Sequence, residues 1–266
     1  MYPLLQFGNL TLVTYWVVFV FTLSFCFLPF LGEAKRKGIS PLTIILLILP
    51  GIPFSFIIAH LYFWIFYYPR IFLEEPFFIF LFWKGGLAFH GGVLGGIIWG
   101  LIFAKIKKIS FWKLADTFAP FFALGEALQR IGCFLNGCCY GKETTVPWAV
   151  VFTHPSAIAP KYLPLHPTQL YLSLGSFFIF LFLWSKRKKI IYNGQVFLNY
   201  LILHSLFRSI VENFRADALH FGKTGIKTAQ LLGGLLIIIS LLIKNYRVRK
   251  TKIEITAEKD LPNNPM

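Results

Sequence analysis

Seven apolar stretches separated by polar connections dominate the sequence. A helix that crosses the hydrocarbon core of a bilayer needs roughly 17–25 mostly apolar residues. The predicted spans are Leu10–Leu31, Leu42–Phe66, Gly86–Ala104, Leu114–Leu135, Leu170–Trp184, Val196–Asn213 and Thr228–Ile243. The fourth and sixth spans carry charged residues, and the fifth is short. The pattern predicts an all-α integral membrane protein with about seven transmembrane helices.

Basic residues follow every second predicted span. Runs rich in Lys and Arg come after spans one, three, five and seven, at Lys35–Lys37, Lys105–Lys113, Lys186–Lys189 and Lys244–Lys259. Short loops that are rich in Lys and Arg remain on the cytoplasmic side of a membrane. We therefore expect the N-terminus to lie outside and the C-terminus to lie in the cytoplasm.

The composition supports a membrane protein and excludes a soluble one. Hydrophobic residues make up 56% of the 266 residues and charged residues only 14%, whereas soluble domains average about 25% charged residues. The net charge of +15 follows from the basic connections, so it requires no nucleic-acid partner, although it favours anionic membrane lipids. We expect one membrane domain over residues 1–249 and a polar, disordered cytoplasmic tail over residues 250–266. The first span is too long for a cleaved signal peptide.

Polar residues gather at the outward ends of four predicted spans. Because polar groups are costly inside a bilayer, they are candidates for function. His90 opens span three, Arg130 closes span four, and the segment LHPTQLY precedes span five. Span six ends in HSLFRSIVENFR, whose His204, Arg208, Glu212 and Arg215 are spaced to share one helical face. The convergence of four segments predicts an active site at the outer leaflet.

Arginine and histidine at this depth suit a phosphate-bearing ligand. Guanidinium groups bind phosphate oxygens bidentately and stay charged, and histidine serves readily as a general base near neutral pH. The residues therefore indicate an enzyme or binding protein that acts on a phospholipid. Simpler explanations exist for single features: the glycines around His90 could let helices approach closely, and Arg208 with Glu212 could be an ordinary ion pair.

Three cysteines, Cys133, Cys138 and Cys139, lie within the segment RIGCFLNGCCYG. An extracytoplasmic position permits a disulfide from Cys133 to Cys138 or Cys139, which is our leading interpretation. The thiols could instead pack as small apolar groups, or one of them could be catalytic. They could also bind a metal, although no histidine stands at the usual zinc spacing.

The sequence resembles the prolipoprotein diacylglyceryl transferase family over nearly its whole length. The resemblance rests on GGLAFHGGVLGG, RIGCFLNGCCYG, HPTQLY and RSIVENFR, which occur in the family's order, and on Asp116 in LADTFAP. It implies a bacterial multi-pass enzyme of the cytoplasmic (inner) membrane. The implied reaction transfers a diacylglyceryl group from phosphatidylglycerol to the lipobox cysteine thiol of a preprolipoprotein signal peptide, without a metal or diffusible cofactor.

The resemblance also implies roles for single residues. His90 matches the family's essential histidine and would deprotonate the acceptor thiol, while Arg130 and Arg208 would hold the departing phosphate. Tyr15, Asn136 and Gly141 match further family positions. The candidate substrate-binding residues are Tyr15, Asn136, Gly141, His204, Glu212 and Arg215, with Glu212 positioning Arg208.

The sequence departs from the family's pattern at four motif positions. Cys133 and Cys138 stand where the signature has asparagine and glutamate, Gln129 replaces a glycine, and His204 replaces a tyrosine. These departures leave room for a related membrane transferase with another acceptor. The same polar residues could also belong to a transporter, a lipid-binding protein or a thiol-redox membrane protein.

Overall fold

The computed structural model describes residues 2–8, 10–68, 74–75, 77, 87–216, 218 and 225–259. The chain forms two compact units, and each is considered by itself. The first contains residues 1–30 and 115–266, and the second contains residues 31–114.

The described chain is mostly helical, and every predicted span overlaps a helix. The α-helices are α1 Thr14–Arg36, α2 Pro41–Tyr67, α3 Phe89–Ile106, α4 Phe111–Asn136, α5 Thr168–Lys186, α6 Gln195–Val211 and α7 Thr228–Lys259. Within the described residues, four helical segments are long and apolar enough to cross a membrane, at Thr14–Arg36, Pro41–Ile65, Thr168–Lys186 and Thr228–Ile253. The predicted mostly helical architecture is confirmed, whereas four of the seven predicted transmembrane spans meet this length and hydropathy in the described residues.

The prediction of an all-α chain is wrong in detail, because the described chain contains two small antiparallel sheets. The strand β1, Leu4–Phe7, pairs with β2, Leu10–Val13, so the first helix begins at Thr14 and not at Leu10. Gly8 has a φ of +59° between these strands, a conformation that glycine adopts without steric cost. The second sheet joins β3, Val150–Val151, to β4, Pro164–Leu165.

The prediction of a disordered tail is wrong for residues 250–259, which are helical. Helix α7 continues to Lys259, since the segment KTKIEITAEK contains several good helix formers. The predicted start of span three at Gly86 and residues 260–266 lie outside the described residues.

In the second unit, α2 and α3 pack through glycines. A Cβ atom added at Gly91 would lie 2.5 Å from Tyr62 Cβ and 2.8 Å from Ala59 Cα. One at Gly95, four residues later, would lie 2.8 Å from Ser55 Cα. Residues four apart share a helix face, so the two glycines let the backbones approach as small-xxx-small patterns do. This confirms the close-approach role for part of the segment GGLAFHGGVLGG.

We expect Gly91→Ala to destabilise the protein by about 1–3 kcal/mol, the usual cost of forcing a methyl group into a packed interface. The matched control is Gly96→Ala, because a Cβ there meets nothing closer than Ser55 Oγ at 3.7 Å. The check is the thermal midpoint of each purified variant in detergent. Equal midpoints for the two variants would contradict the assigned packing role.

In the first unit, Asp116 fixes the beginning of α6. Its buried carboxylate accepts hydrogen bonds from the backbone N–H groups of Gly194, at 2.7 Å, and Phe197, at 2.8 Å. Helix N-termini leave such donors without intrahelical partners, and an acidic side chain there satisfies them. Gly175 on α5 leaves room for the ring of Phe207 on α6, since an added Cβ would lie 1.9 Å from Phe207 Cε1. These contacts set the position of the polar residues on α6.

Candidate active site

A single carboxylate, that of Glu126, joins three helices of the first unit. On its own helix α4, Glu126 Oε1 accepts a hydrogen bond from Arg130 Nη2 at 3.0 Å. Its Oε2 lies 2.8 Å from His204 Nε2 on α6 and accepts a hydrogen bond from Ser176 Oγ on α5 at 2.9 Å. The sequence analysis missed Glu126. Its local signal is its position four residues before Arg130 on the same helix.

A second carboxylate, that of Glu212, lies at the end of α6. It pairs with Arg208, and its Oε2 lies 3.9 Å from Arg215 Nε. Lys227 Nζ donates a hydrogen bond to the Glu212 backbone carbonyl at 2.6 Å, and Glu212 is buried. The predicted contact between Arg208 and Glu212 is therefore present, whereas His204 turns to Glu126.

These residues form one arginine–glutamate cluster. Its members are Glu126, Arg130, His204, Arg208, Glu212 and Arg215. The three arginine side chains are only 18%, 20% and 11% exposed, and both Arg215 and Arg130 interact electrostatically with Arg208. Three guanidinium groups thus accompany two carboxylates in a poorly solvated place. Such an excess of positive charge is costly unless an anion compensates it, so the cluster suits a phosphate group.

The cysteine turn, residues 133–139, begins within the last turn of α4. All four cysteines of the chain are free thiols, so the disulfide predicted from Cys133 is not formed in the structure. The three clustered sulfur atoms all lie within 4.8 Å of one another. The pKa of the Cys139 thiol is lowered, first by hydrogen bonds with the Cys133 and Cys138 thiols and then by the charges of Arg215 and Arg130. The turn therefore brings three thiols together next to the arginine–glutamate cluster.

The HPTQLY segment holds this turn in place. Thr168 Oγ1 donates to the Cys139 carbonyl at 2.8 Å, and Gln169 Nε2 donates to the Cys138 carbonyl at 2.7 Å. His166 Nδ1 lies 3.1 Å from the Tyr171 hydroxyl. Asn136 ends α4, and its side chain hydrogen-bonds to Cys138. The segment thus supports the turn from the start of α5.

Gly141 lies where three backbone segments meet. Its N–H donates to the His166 carbonyl at 3.0 Å, and it forms an isolated β-bridge with Arg215. A Cβ added at Gly141 would lie 2.5 Å from both Cβ and the carbonyl oxygen of His166, and 2.9 Å from the Phe214 carbonyl oxygen. Only glycine fits there, and its absence of a side chain sets the distance between the cysteine turn and Arg215.

We expect Gly141→Ala to lower the activity of this site at least tenfold and to destabilise the protein by about 1–3 kcal/mol, because the added methyl group displaces backbone and not a flexible side chain. Gly234→Ala is the control, since nothing lies within 4 Å of a Cβ at that position. Activity and the thermal midpoint are measured on both purified variants. A Gly141→Ala protein that matches the control in both would contradict this account.

The structure places the predicted site residue Tyr15 but does not describe the side chain of the predicted site residue His90. Tyr15, near the start of α1, lies beside Gln129 and interacts electrostatically with all three clustered cysteines, so the structure brings it to the cysteine turn. His90 is the second residue of α3 and belongs to the second unit. Its side chain lies outside what the structure describes, so the predicted role of His90 stays a prediction.

Comparison with known proteins identifies the family. The sequence model described as prolipoprotein diacylglyceryl transferase matches residues 3–246. The chain is 36% identical over 229 residues to the phosphatidylglycerol–prolipoprotein diacylglyceryl transferase of Clostridioides difficile (strain 630), covering 85% of this chain and 87% of that protein. It is 38% identical over 223 residues to the protein of the same name from Bacillus cytotoxicus, covering 82% and 81%. The chain belongs to the prolipoprotein diacylglyceryl transferase family.

The four residues predicted to depart from the family's pattern make three sets of contacts. His204 Nε2 contacts Glu126 Oε2, while Cys133 and Cys138 belong to the group of three thiols. Gln129 lies beside Tyr15. A relative from Oceanobacillus iheyensis with the same name is 32% identical over 264 residues, covering 94% of this chain and 88% of that protein. The region that matches the family, residues 3–246, thus includes all four of these positions.

Proposed function

We propose that the protein transfers the diacylglyceryl group of phosphatidylglycerol to the lipobox cysteine thiol of preprolipoproteins, the first step of bacterial lipoprotein maturation. The observation that carries the proposal is the arginine–glutamate cluster, a poorly solvated excess of guanidinium charge in a member of this transferase family. A cluster of this kind binds the phosphate of a lipid headgroup.

In the proposed reaction, the acceptor sulfur gives up its proton and attacks the glycerol carbon that carries the phosphate ester. A C–S bond forms and the C–O bond breaks, with its electron pair leaving on glycerol phosphate. Arg130 and Arg208 stabilise the negative charge that develops on the leaving phosphate. Glu212 orients Arg208, and Arg215 contributes to phosphate binding.

We assign the remaining residues by the same reasoning. His90 is the proposed general base for the thiol, since a thiol is mostly protonated at neutral pH. His204, held by Glu126, and the residues around the cysteine turn, Tyr15, Asn136 and Gly141, are proposed to contact or shape the substrates.

The proposed membrane arrangement has seven spans, with the N-terminus outside and the C-terminus in the cytoplasm of the bacterial inner membrane. It is supported by the basic runs at the C-terminal ends of α1, α3 and α5 and over the last part of α7, because such runs remain cytoplasmic. The polar ends of α4 and α6 then open towards the outer leaflet, where a translocated preprolipoprotein presents its lipobox.

The test is complementation with a chemical readout. The chain, His90→Ala and Arg130→Ala are each expressed in bacteria depleted of their own transferase, together with a reporter preprolipoprotein and its lipobox Cys→Ser counterpart. We expect mass spectrometry to find the diacylglyceryl mass on the cysteine reporter only with the wild-type chain. Purified wild-type protein that adds no such mass to native lipobox peptides in phosphatidylglycerol membranes would refute the proposal and favour another acceptor.

A further inference from the structure

We propose that Cys133, Cys138 and Cys139 form a zinc site with one open coordination position, which takes the acceptor thiol. The observation that indicates the metal site is the geometry of the cysteine turn. The assignment of the open position rests on the proposed function.

The three sulfur atoms are already gathered at one point. All of them lie within 4.8 Å of one another. In tetrahedral zinc sites the Zn–S distance is about 2.3 Å, which places ligand sulfurs about 3.8 Å apart. Small side-chain rotations therefore suffice to bring the three thiolates to a shared ion. Thiolate ligands select zinc and other thiophilic metals over oxygen-preferring ions such as magnesium or calcium.

Hydrogen bonds hold the backbone of the cysteine turn in place, as a preformed metal site requires. The Cys138 N–H donates to the Cys133 carbonyl at 3.1 Å, and Thr168 and Gln169 fix the carbonyls of the other two cysteines. Cys139 has a φ of +57°, a conformation that costs a non-glycine residue energy and persists where the surroundings impose it. This conformation aims a third thiol at the other two.

The grouping of three thiols favours a metal over a disulfide. A disulfide uses two sulfurs and leaves the third unexplained, and a bond between the adjacent Cys138 and Cys139 has unfavourable geometry. Three thiolates and one Zn²⁺ carry a net charge of −1. Arg130 and Arg215 both act electrostatically on Cys139, so this negative charge is compensated where it arises.

One coordination position remains for a ligand from outside the turn. Among the described residues, no fourth His, Cys, Asp or Glu joins the group of three cysteines. Zinc sites with three protein ligands keep the fourth position for water or substrate, and a thiol that coordinates the ion is deprotonated outright. An acceptor thiol would therefore bind there as the thiolate that the proposed reaction requires.

The place of the site also agrees with the proposed donor position. Cys133 follows Arg130 by three residues on α4, so the two side chains share one helix face. A phosphate bound by Arg130 would therefore lie near the same helix face as Cys133. The acceptor sulfur would give up its proton to the proposed base His90 on binding, its electron pair would form the C–S bond, and the C–O electron pair would leave on glycerol phosphate. The metal undergoes no redox change.

The first experiment uses full-length, reduced protein in detergent, titrated with Co²⁺ and then with competing Zn²⁺. We expect one equivalent of cobalt, with sulfur-to-cobalt charge-transfer absorption and tetrahedral visible bands that zinc abolishes. Cys133→Ser, Cys138→Ser and Cys139→Ser each lose or weaken these bands, whereas Cys26→Ser keeps them. Zinc should also slow alkylation of the three clustered thiols but not of Cys26 in the wild-type protein, a readout that needs no variant to fold.

Cobalt-loaded protein is next mixed with a lipobox cysteine peptide or its serine counterpart, and transfer is measured with and without a chelator. We expect added charge-transfer absorption with the cysteine peptide alone, and at least a tenfold loss of transfer after chelation. Absence of both cobalt–thiolate bands and zinc protection would overturn the metal site. Cobalt binding without a peptide response, or full transfer in the chelator, would overturn the role of the open position and leave the proposed function standing. Metal binding in a protein that never transfers lipid would refute the function and keep the metal site.

Discussion

Arg130→Ala should lower the rate of diacylglyceryl transfer by about 10²–10³-fold at saturating donor, the usual effect of removing one preorganised donor from a developing oxyanion. Arg130 has the geometry for this role, since Glu126 holds its Nη2 at 3.0 Å in a place where water screens charge poorly. The rate is measured with purified protein, a labelled phosphatidylglycerol and a lipobox peptide.

The Arg130→Lys variant tests whether the positive charge at this position is sufficient or whether the planar guanidinium group is also needed. A lysine keeps the positive charge but loses the planar pair of donors that binds a phosphate bidentately, so we expect a rate between those of the alanine variant and the wild type. Arg187→Ala serves as the matched control, because Arg187 stacks on the Trp184 ring at 3.3 Å, just after α5 and outside the cluster. It should stay within about twofold of the wild type. A similar decrease for Arg187→Ala, or less than a tenfold decrease for Arg130→Ala, would remove Arg130 from the proposed mechanism.

The positions of the helices could be predicted from the sequence because the apolar runs are long. A run of about twenty apolar residues has few structures open to it besides a helix, and all seven predicted segments overlap helices. The prediction of a membrane span that begins at Leu10 is wrong because the four apolar residues Leu10–Val13 are compatible with either a strand or the start of a helix. What decided their structure was pairing with Leu4–Phe7 across a turn at Gly8, which the hydropathy of the run does not reveal.

The candidate site was predictable where its contacts are local. The pair formed by Arg208 and Glu212 follows from their spacing of four residues. The contacts of Glu126 with Ser176, fifty residues further along the chain, and with His204 depend on how α4, α5 and α6 pack. Similarly, the spacing of Cys133, Cys138 and Cys139 did not show that their sulfurs meet, since this depends on the backbone of the turn and on its hydrogen bonds to Thr168 and Gln169.

Glu126→Ala should destabilise the protein by about 3–5 kcal/mol, the cost of leaving a buried charge without its partner. The substitution removes the contacts of one carboxylate with Arg130, His204 and Ser176 at once, so three helices lose a common link. The thermal midpoint in detergent reports the loss. Glu143→Ala, which removes an exposed carboxylate of the same unit, should change the midpoint little.

The double variant Glu126→Ala/Arg130→Ala decides whether the loss comes from the stranded charge. Because removing both partners of a buried pair costs less than removing one, we expect the double variant to be more stable than Glu126→Ala alone. Its transfer activity should nevertheless stay at the level of Arg130→Ala, since the phosphate has lost its guanidinium group. A double variant less stable than Glu126→Ala would mean that Arg130 contributes packing beyond its ion pair. Recovery of activity together with stability would mean that Glu126 and Arg130 serve only the fold. The cycle therefore separates the carboxylate's part in holding three helices together from the arginine's part in the reaction.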